Sequence, residues 1–448
     1  MSKPSIPKGT RDFGPEEVIK RNYIFDIIRG VFTKYAYQPI ETPTMENLST
    51  LTGKYGEEGD KLVFKVLNNG DFLDKADEMA LAQKDSNKLV SSISKRGLRY
   101  DLTVPFARFV VMHQNDISFP FKRYQIQPVW RADRPQKGRY QEFFQCDVDV
   151  VGSNALIYEA ELTQIYDEVF AALKVPVEIK LNNRKILAGI AEVAGIADRF
   201  VDMTVAIDKL DKVGMDGVKN ELEKRGIDAP AIEQIETILG MTKLADLKAS
   251  FATSKTGLKG VEELEQVFQY LEGSPLTNEV QFDITLARGL NYYTGCIFEV
   301  KAKGVQMGSI GGGGRYDDLT GIFGLKDVSG VGVSFGAERI YDVMEELQLF
   351  PDTAGATLKV LFVAFDEKTH AYAFNCLGEV RRAGINADLY PEPAKLQKQM
   401  KYANARKAPY VVLIGDSEME SGLLSLKNME TGEQQNLGLK DLIERLQS

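Results

Sequence analysis

Two blocks of alternating apolar and polar residues, from about Arg99 to Val151 and again from Val280 to Phe335, flank a helical stretch from about Lys185 to Glu272. Period-two and period-3.6 patterns cannot exchange roles, because either one, read in the other geometry, scatters its apolar residues over both faces. The order predicts one sheet domain carrying an inserted helical domain. Within the insertion, KLDKVGMDGVKNELEKRG and GVEELEQVFQYLEG read as helices, with GIDAP as a turn. Upstream, Val18, Ile19, Tyr23, Ile24, Ile27, Ile28, Val31 and Phe32 recur at helical spacing, which predicts an amphipathic helix from Glu16 to about Tyr35. After a helix from Glu338 to Leu347 comes FPDTAGAT, rich in turn residues and read as a linker. Beyond it LKVLFVAF, HAYAFNCLGEVRRAG, NADLY, PAKLQKQMKYANARKAP, YVVLIG and LLSLKN alternate strand and helix, predicting a separate C-terminal α/β domain of parallel type.

Composition removes several function classes. No apolar run reaches the roughly 18 residues of a membrane span. The start, MSKPSIPKGTRDFGPEE, has neither the apolar stretch of a signal peptide nor an Arg-rich amphipathic pattern. Cys146, Cys296 and Cys376 are too few and too scattered for a disulfide framework or a cysteine zinc site, and fit a reducing cytoplasm. His113 and His370 are the only histidines, so no metal site is expected. The net charge of −9 conceals two basic runs. From Phe121 to Tyr140 six Lys/Arg stand against one acid, and from Pro391 to Tyr410 five against one, pointing to anionic partners.

Strand periodicity sorts the polar residues. In LRYDLTV, Arg99, Asp101 and Thr103 fall on one face; in FFQCDVDV, Gln145, Asp147 and Asp149 oppose Phe144, Cys146, Val148 and Val150. Arg131 follows Trp130 on the opposite face, and Pro128 marks an edge or bulge. Three such segments predict a polar cleft. GSIGGGGRYDDL lacks the Lys-Ser/Thr of a P-loop. The glycines of GVGVSFGAERI lie inside an alternating strand rather than in a turn after one, which rejects a dinucleotide fingerprint. Glycine inside a strand allows a backbone or ligand to approach closely. Arg339, in the first turn of the next helix, reads by default as a surface residue.

These segments together resemble the histidyl-tRNA synthetases, a class II aminoacyl-tRNA synthetase family. KYAYQPIETPTMEN, with Pro43, is similar to motif 1, which in the family forms the dimer interface. FKRYQIQPVWRADRPQKGRYQEFFQCDVDVVG resembles motif 2, a strand–loop–strand, and GVGVSFGAERI resembles motif 3, a strand–helix. LARGLNYYTG and GGGGRYDDL are similar to two signatures of the histidine enzymes, and the likeness runs from about Lys8 to the C-terminus.

The resemblance implies an α+β catalytic domain of class II type, built on an antiparallel sheet, from residues 1–184 and 274–347. It implies a helical insertion, 185–273, against the tRNA acceptor arm, a linker at 348–357 and an anticodon-binding α/β domain at 358–448. The expected substrates are L-histidine, ATP with Mg²⁺ and tRNA(His), in a cytoplasmic homodimer. Carried over by position, Asp101, Thr103 and Gln145 would hold the histidine ammonium, and Asp149 and Tyr293 the two imidazole nitrogens, with Tyr316 lining the pocket. Arg131 would bind the α-phosphate and the amino-acid carboxylate, and Arg288 would be the catalytic cation at the α-phosphorus. Phe143 would stack beneath adenine with Arg339 above it and Asp133 beside it. Gln136, Lys137 and Arg139 would face the tRNA acceptor end; the basic helix carrying Lys395, Lys398, Lys401, Arg406 and Lys407 would lie along the tRNA backbone. Three positions depart from the family pattern: Asn291 replaces a common Asp, Asp133 replaces the usual Glu, and Gln141 stands where a basic residue is frequent. Asp147 has no counterpart role and is read as a structural hydrogen-bonding group. The rival reading is the family's catalytically silent paralogue, a histidine-sensing regulatory subunit.

Overall fold

The computed structural model describes residues 3–52, 61–136, 138–287, 292–351 and 358–447. They divide into two units, Met1–Phe13 with Lys20–Phe350, and Gly14–Ile19 with Pro351–Ser448. The first unit carries strands β1 (Gln38–Pro39), β2 (Met45–Asn47), β3 (Lys65–Val66), β4 (Arg96–Leu98), β5 (Phe121–Trp130) and β6 (Glu142–Val151). There follow β7 (Val177–Asn183), β8 (Glu279–Phe282), β9 (Cys296–Ala302), β10 (Gly311–Tyr316) and β11 (Gly330–Gly336).

Eight strands form one sheet in the order β1-β5-β6-β11-β10-β9-β7-β8. Every pair from β5 to β7 is antiparallel, and only the outermost pairs, β1–β5 and β7–β8, are parallel. The two alternating blocks meet at the centre, where β6 pairs with β11 in the register Cys146↔Phe335, Asp147↔Ser334 and Asp149↔Gly332. Strands β7 and β8 lie side by side, so the helices between them leave and re-enter the sheet at neighbouring positions.

The alternation explains which face is covered. Cys146, Val148, Val150 and Phe335 are fully buried on one side. There Phe335 meets Phe32 of the helix Pro15–Lys34, ring centroids 5.7 Å apart, and Tyr166 and Phe170 of the helix Ile157–Ala172, at 4.7 and 5.6 Å. The other face carries Gln145, Asp147 and Asp149. Pro128 lies on an edge: β5 pairs with β6 along its length but with β1 only at Arg123 and Tyr124.

Three sequence expectations are corrected. LRYDLTV is not one strand: β4 ends at Leu98, and Thr103 opens the helix Thr103–Met112. Asp101 causes the break, since its carboxylate accepts the backbone N–H of Val104 at 3.1 Å and stabilises a helix start. GIDAP is a turn only as far as Asp228, which caps the helix Ala229–Leu239 by accepting from Ala231 N at 3.0 Å, with Ala229 and Pro230 already helical.

The third correction concerns the C-terminal unit, with strands β12 (Val360–Ala364), β13 (Ala387–Leu389), β14 (Tyr410–Ile414), β15 (Leu423–Asn428) and β16 (Gln434–Gly438). Their order is β13-β12-β14-β15-β16. The first three are parallel; β15 and β16 run antiparallel, so the sheet is mixed. Only the short helix Asp416–Ser421 separates β14 from β15, too little chain for a parallel crossover of a dozen or more residues.

Phe335→Ala should destabilise the N-terminal unit by about 3–5 kcal/mol, because three aromatic neighbours lose their common partner. Urea unfolding followed by the fluorescence of Trp130, the sole tryptophan and a residue of β5, would measure it.

Candidate active site

The polar face of the sheet opens into two adjoining cavities, of about 260 and 150 Å³. Arg131, Gln145, Gly312 and Ser334 line both. The larger cavity brings together Arg131, Asp133, Phe143 and Arg339. The smaller brings together Asp101, Thr103, Gln145, Asp149, Tyr293 and Tyr316, with Asp147 among them.

Arg131 is held at the shared wall by its Nε, which donates to the carbonyl of Tyr100 at 2.8 Å, and its guanidinium lies 5.2 Å from the Phe143 ring centroid. Arg339 is not a surface residue. It is half-buried in the larger cavity, its Nε donating to Gly138 O at 2.9 Å and its Nη1 to Ser309 O at 2.6 Å. Beside it Glu338 is buried and takes Arg11 at 2.5 Å and also Arg21, an ion-pair cluster that fixes the start of the helix Ala337–Glu346. An aromatic ring and two anchored guanidinium groups in one cleft suit a planar, anionic ligand.

In the smaller cavity Asp149 is gripped from two sides: Arg123 lies 2.8 Å from Oδ2, and the Tyr316 hydroxyl donates to Oδ1 at 2.8 Å. The glycines of β10 and β11 make room for this arrangement. A Cβ on Gly332 would stand 1.9 Å from Asp149 Oδ1, and one on Gly314 would stand 2.8 Å from the Tyr293 ring. Burial raises the carboxyls of both Asp149 and Asp147, with Arg123 the main offset. Asp149 holds the closer guanidinium and the tyrosine hydroxyl, so it ionises first. Asp147, with Asp149 and Asp101 nearby, is pushed up to about 7. Burial also lifts the phenols of Tyr293 and Tyr316, which stay protonated as donors at neutral pH.

The remaining expected residues are spread more widely. Gln136 and Arg139 face each other in a tight turn, their backbones hydrogen-bonded at 3.1 and 2.9 Å, with Arg139 half-exposed near Asp133. Gln141 is tied into the same turn, its Nε2 donating to Asp133 O at 3.0 Å. Lys398 and Lys401 lie exposed on the helix Leu396–Ala405 of the C-terminal unit. Arg288, Asn291 and Lys137 lie outside the described residues. Arg99, expected on the polar face, is instead fully buried, donating to Thr42 O at 2.6 Å and to Pro128 O at 2.9 Å. Arg123 is a site residue that the motif segments do not mark; it shares a face with Gln125 and Gln127 and stands directly across from Asp149. Ser334 was missed because its polar side chain sits in an otherwise small and apolar strand.

A family model described as histidyl-tRNA synthetase matches residues 71–340, well over half of the chain. The chain belongs to the histidyl-tRNA synthetase family. A second model, described as an anticodon-binding domain, matches residues 359–448. A histidine–tRNA ligase of Christiangramia forsetii is 59% identical over 448 residues, covering 98% of each chain. One of Bacteroides fragilis is 57% identical over 447 residues, covering 99% of this chain and 98% of the relative. Among solved structures, the histidyl-tRNA synthetase of Nostoc sp. PCC 7120 superposes with a TM-score of 0.85 at 30% identity, covering 100% of this chain and 99% of that one.

Two outcomes are expected of the smaller cavity. Gly332→Ala should displace the Asp149 carboxylate and weaken histidine binding in this synthetase by roughly 10- to 100-fold, the worth of a charge-assisted hydrogen bond, as read from the KM for histidine. The raised carboxyl of Asp147 keeps its proton in the folded protein while the unfolded chain, at about 3.9, has lost it. Its contribution to stability is therefore full below about pH 4 and lost as pH rises through about 7. The Tm of Asp147→Asn relative to wild type should accordingly be higher at pH 8 than at pH 5, as measured by calorimetry without ligands.

Proposed function

We infer that the chain is a histidine–tRNA ligase: it joins L-histidine to ATP as histidyl-adenylate, releases pyrophosphate, and passes histidine to the 3′ end of tRNA(His). The observation that carries this reading is the wall shared by the two cavities. A pocket rich in carboxylates and phenols abuts a cleft with an aromatic ring and arginines, and Arg131 belongs to both.

In this reading Asp101, Thr103 and Gln145 take the histidine ammonium, and Asp149 and Tyr293 the imidazole. A carboxylate acceptor and a phenol donor suit the two different nitrogens of a neutral ring. Tyr316 and Arg123 hold Asp149 in place. Phe143 and Arg339 sandwich adenine, with Asp133 at its edge. The chemical difficulty is bringing a carboxylate to a phosphate, two anions that repel by roughly 4 kcal/mol at about 4 Å and an effective dielectric near 20. Arg131 offsets this repulsion at the junction, and Arg288 supports the charge that develops at the α-phosphorus. Mg²⁺ bound to the substrate ATP would supply the charge neutralisation that the leaving pyrophosphate needs. Positioning and electrostatics suffice for this step, with no general base required.

Rivals lacking imidazole leave the buried partners unpaired, a penalty that supports discrimination of about 10⁴ to 10⁵. Residues 185–273 are accordingly assigned to the tRNA acceptor arm rather than to editing. Residues 1–184 and 274–347 form the catalytic domain, 348–357 the linker, and 358–448 the anticodon-binding domain. Gln136, Lys137 and Arg139 face the acceptor end, and Lys398 and Lys401 the tRNA backbone. The working form is a cytoplasmic homodimer paired through the segment around Pro43. Among the described residues, no helix is long and apolar enough to cross a membrane, and no group of three or more His, Cys, Asp or Glu is placed to hold a metal.

Purified protein should exchange pyrophosphate into ATP with histidine alone among the amino acids; histidine binding without exchange would favour the regulatory paralogue. Arg288→Ala should lower the adenylation rate by roughly 10²- to 10³-fold while changing histidine affinity little. Charge reversal at Lys398 and Lys401 should flatten the salt dependence of tRNA binding, and an unchanged slope would remove that helix from the contact.

A further inference from the structure

Asp147 is the one carboxylate of the smaller cavity to which the reading above assigns no task. It lies on β6 midway between Gln145 and Asp149, on the same face and about 7 Å along the strand from each. Its closest relation is to Gln145. The Gln145 Nε2 donates to Ser334 Oγ at 3.1 Å and points at Asp147 Oδ1, 3.5 Å away, while Ser334 stands directly across from Asp147 on β11. Once Asp147 is ionised, the opposite amide orientation would set the Gln145 oxygen against a carboxylate oxygen, acceptor against acceptor. The observed one leaves Gln145 Oε1 buried without a hydrogen-bond partner in the protein, on the wall common to the two cavities. A buried acceptor without a donor is costly, and an incoming ammonium satisfies it.

We propose that Asp147 is a positioning residue for the histidine ammonium: it fixes the Gln145 amide with its oxygen toward the cavity and supplies negative charge beside it. The proposal rests on the smaller cavity being the histidine site. The groups facing Asp147 set its charge. From β5 comes Arg123, engaged with Asp149; from the turn after β4, Asp101; from the segment before β9, the phenol of Tyr293; the phenol of Tyr166, packed against Phe335, lies on the opposite face of the sheet. Arg131 stands at the mouth, and the buried Arg99 lies farther off. Asp147 and Asp149 share one fully buried guanidinium and cannot both ionise cheaply in an empty pocket, and Asp147 is the one that keeps its proton near neutrality. An arriving ammonium favours the ionised form. Histidine binding thus releases the Asp147 proton to bulk water, and affinity climbs as pH rises through about 7.

The test compares wild type with Asp147→Asn between pH 6 and 8.5. The readout is the ratio of their histidine KM values in pyrophosphate exchange, in which histidine's own titration cancels. The wild-type advantage should be small at pH 6 and reach about tenfold at pH 8, with kcat changed much less. Histamine, which keeps the ammonium, should inhibit the variant more weakly than wild type. Imidazolepropionate, which lacks the ammonium, should inhibit both equally. Ser334→Ala should reproduce the ammonium-selective loss while retaining the pH dependence, and ATP binding shows that each variant is folded. A ratio independent of pH, or equal loss of imidazolepropionate, would overturn the role of Asp147. Failure of the wild-type protein to bind either imidazole compound would overturn the reading of the cavity itself.

Discussion

The ion pair between Arg123 and Asp149, 2.8 Å apart and almost fully buried, is the constraint around which the polar half of the sheet is organised. Such a pair rarely stabilises a fold on balance, since stripping water from both ions costs about as much as their attraction returns. Its value here is geometric. Arg123 and Asp149 face each other across β5 and β6, Tyr316 closes the third side, and Gly332 of β11 leaves the space that the carboxylate occupies. Four strands of chain thereby agree on the position of one functional group. A slip of one residue in any of those pairings would carry the whole polar set to the face packed around Phe335.

That arrangement also divides labour between the two faces. Phe32, Tyr166, Phe170 and Phe335 bury one side beneath two helices, and the aromatic mass there stabilises the sheet. The opposite side is consequently free to hold carboxylates, arginines and glycines that contribute little to packing. The helix Ala337–Glu346 connects the two roles: Glu338 is locked by Arg11 and Arg21 from the N-terminal segment, and the adjacent Arg339 is thereby directed into the larger cavity. In the proposed reaction, the division between cavities matters because the reacting carboxylate and phosphate must meet at their boundary, where Arg131 is anchored by the carbonyl of Tyr100.

Much of this was legible before any coordinates. FFQCDVDV and GVGVSFG show a clean period of two, and both are strands with the expected residues on each face. The helix expected from Glu16 to Tyr35 spans Pro15–Lys34, because its apolar positions repeat at 3.6 over five turns. Reading failed where a pattern was short or a cap intervened. Seven residues of LRYDLTV alternate well enough for a strand, yet Asp101 turns the chain into a helix, and Arg99 points into the interior. β16, with the polar sequence QQNLG, carries no periodic signal, and it exists because β15 offers it an edge. Arg123 could have been found by extending the alternation along β5; Ser334 could not, since nothing local marks a serine in a strand as a partner for Gln145.

From the amino-acid order alone came the element types, the polar and apolar faces, the insertion between two strand blocks and the likeness to a family of synthetases, because all of these are encoded by local periodicity or by short motifs. Which strands lie next to each other, and therefore that Asp147 faces Ser334, that Gly332 yields its space to Asp149, and that Asp101, Tyr293 and Tyr316 converge on one cavity, was decided by tertiary structure. The physical reason is that pairing between residues nearly two hundred positions apart depends on burying one common apolar face, and no local stretch of chain carries that information.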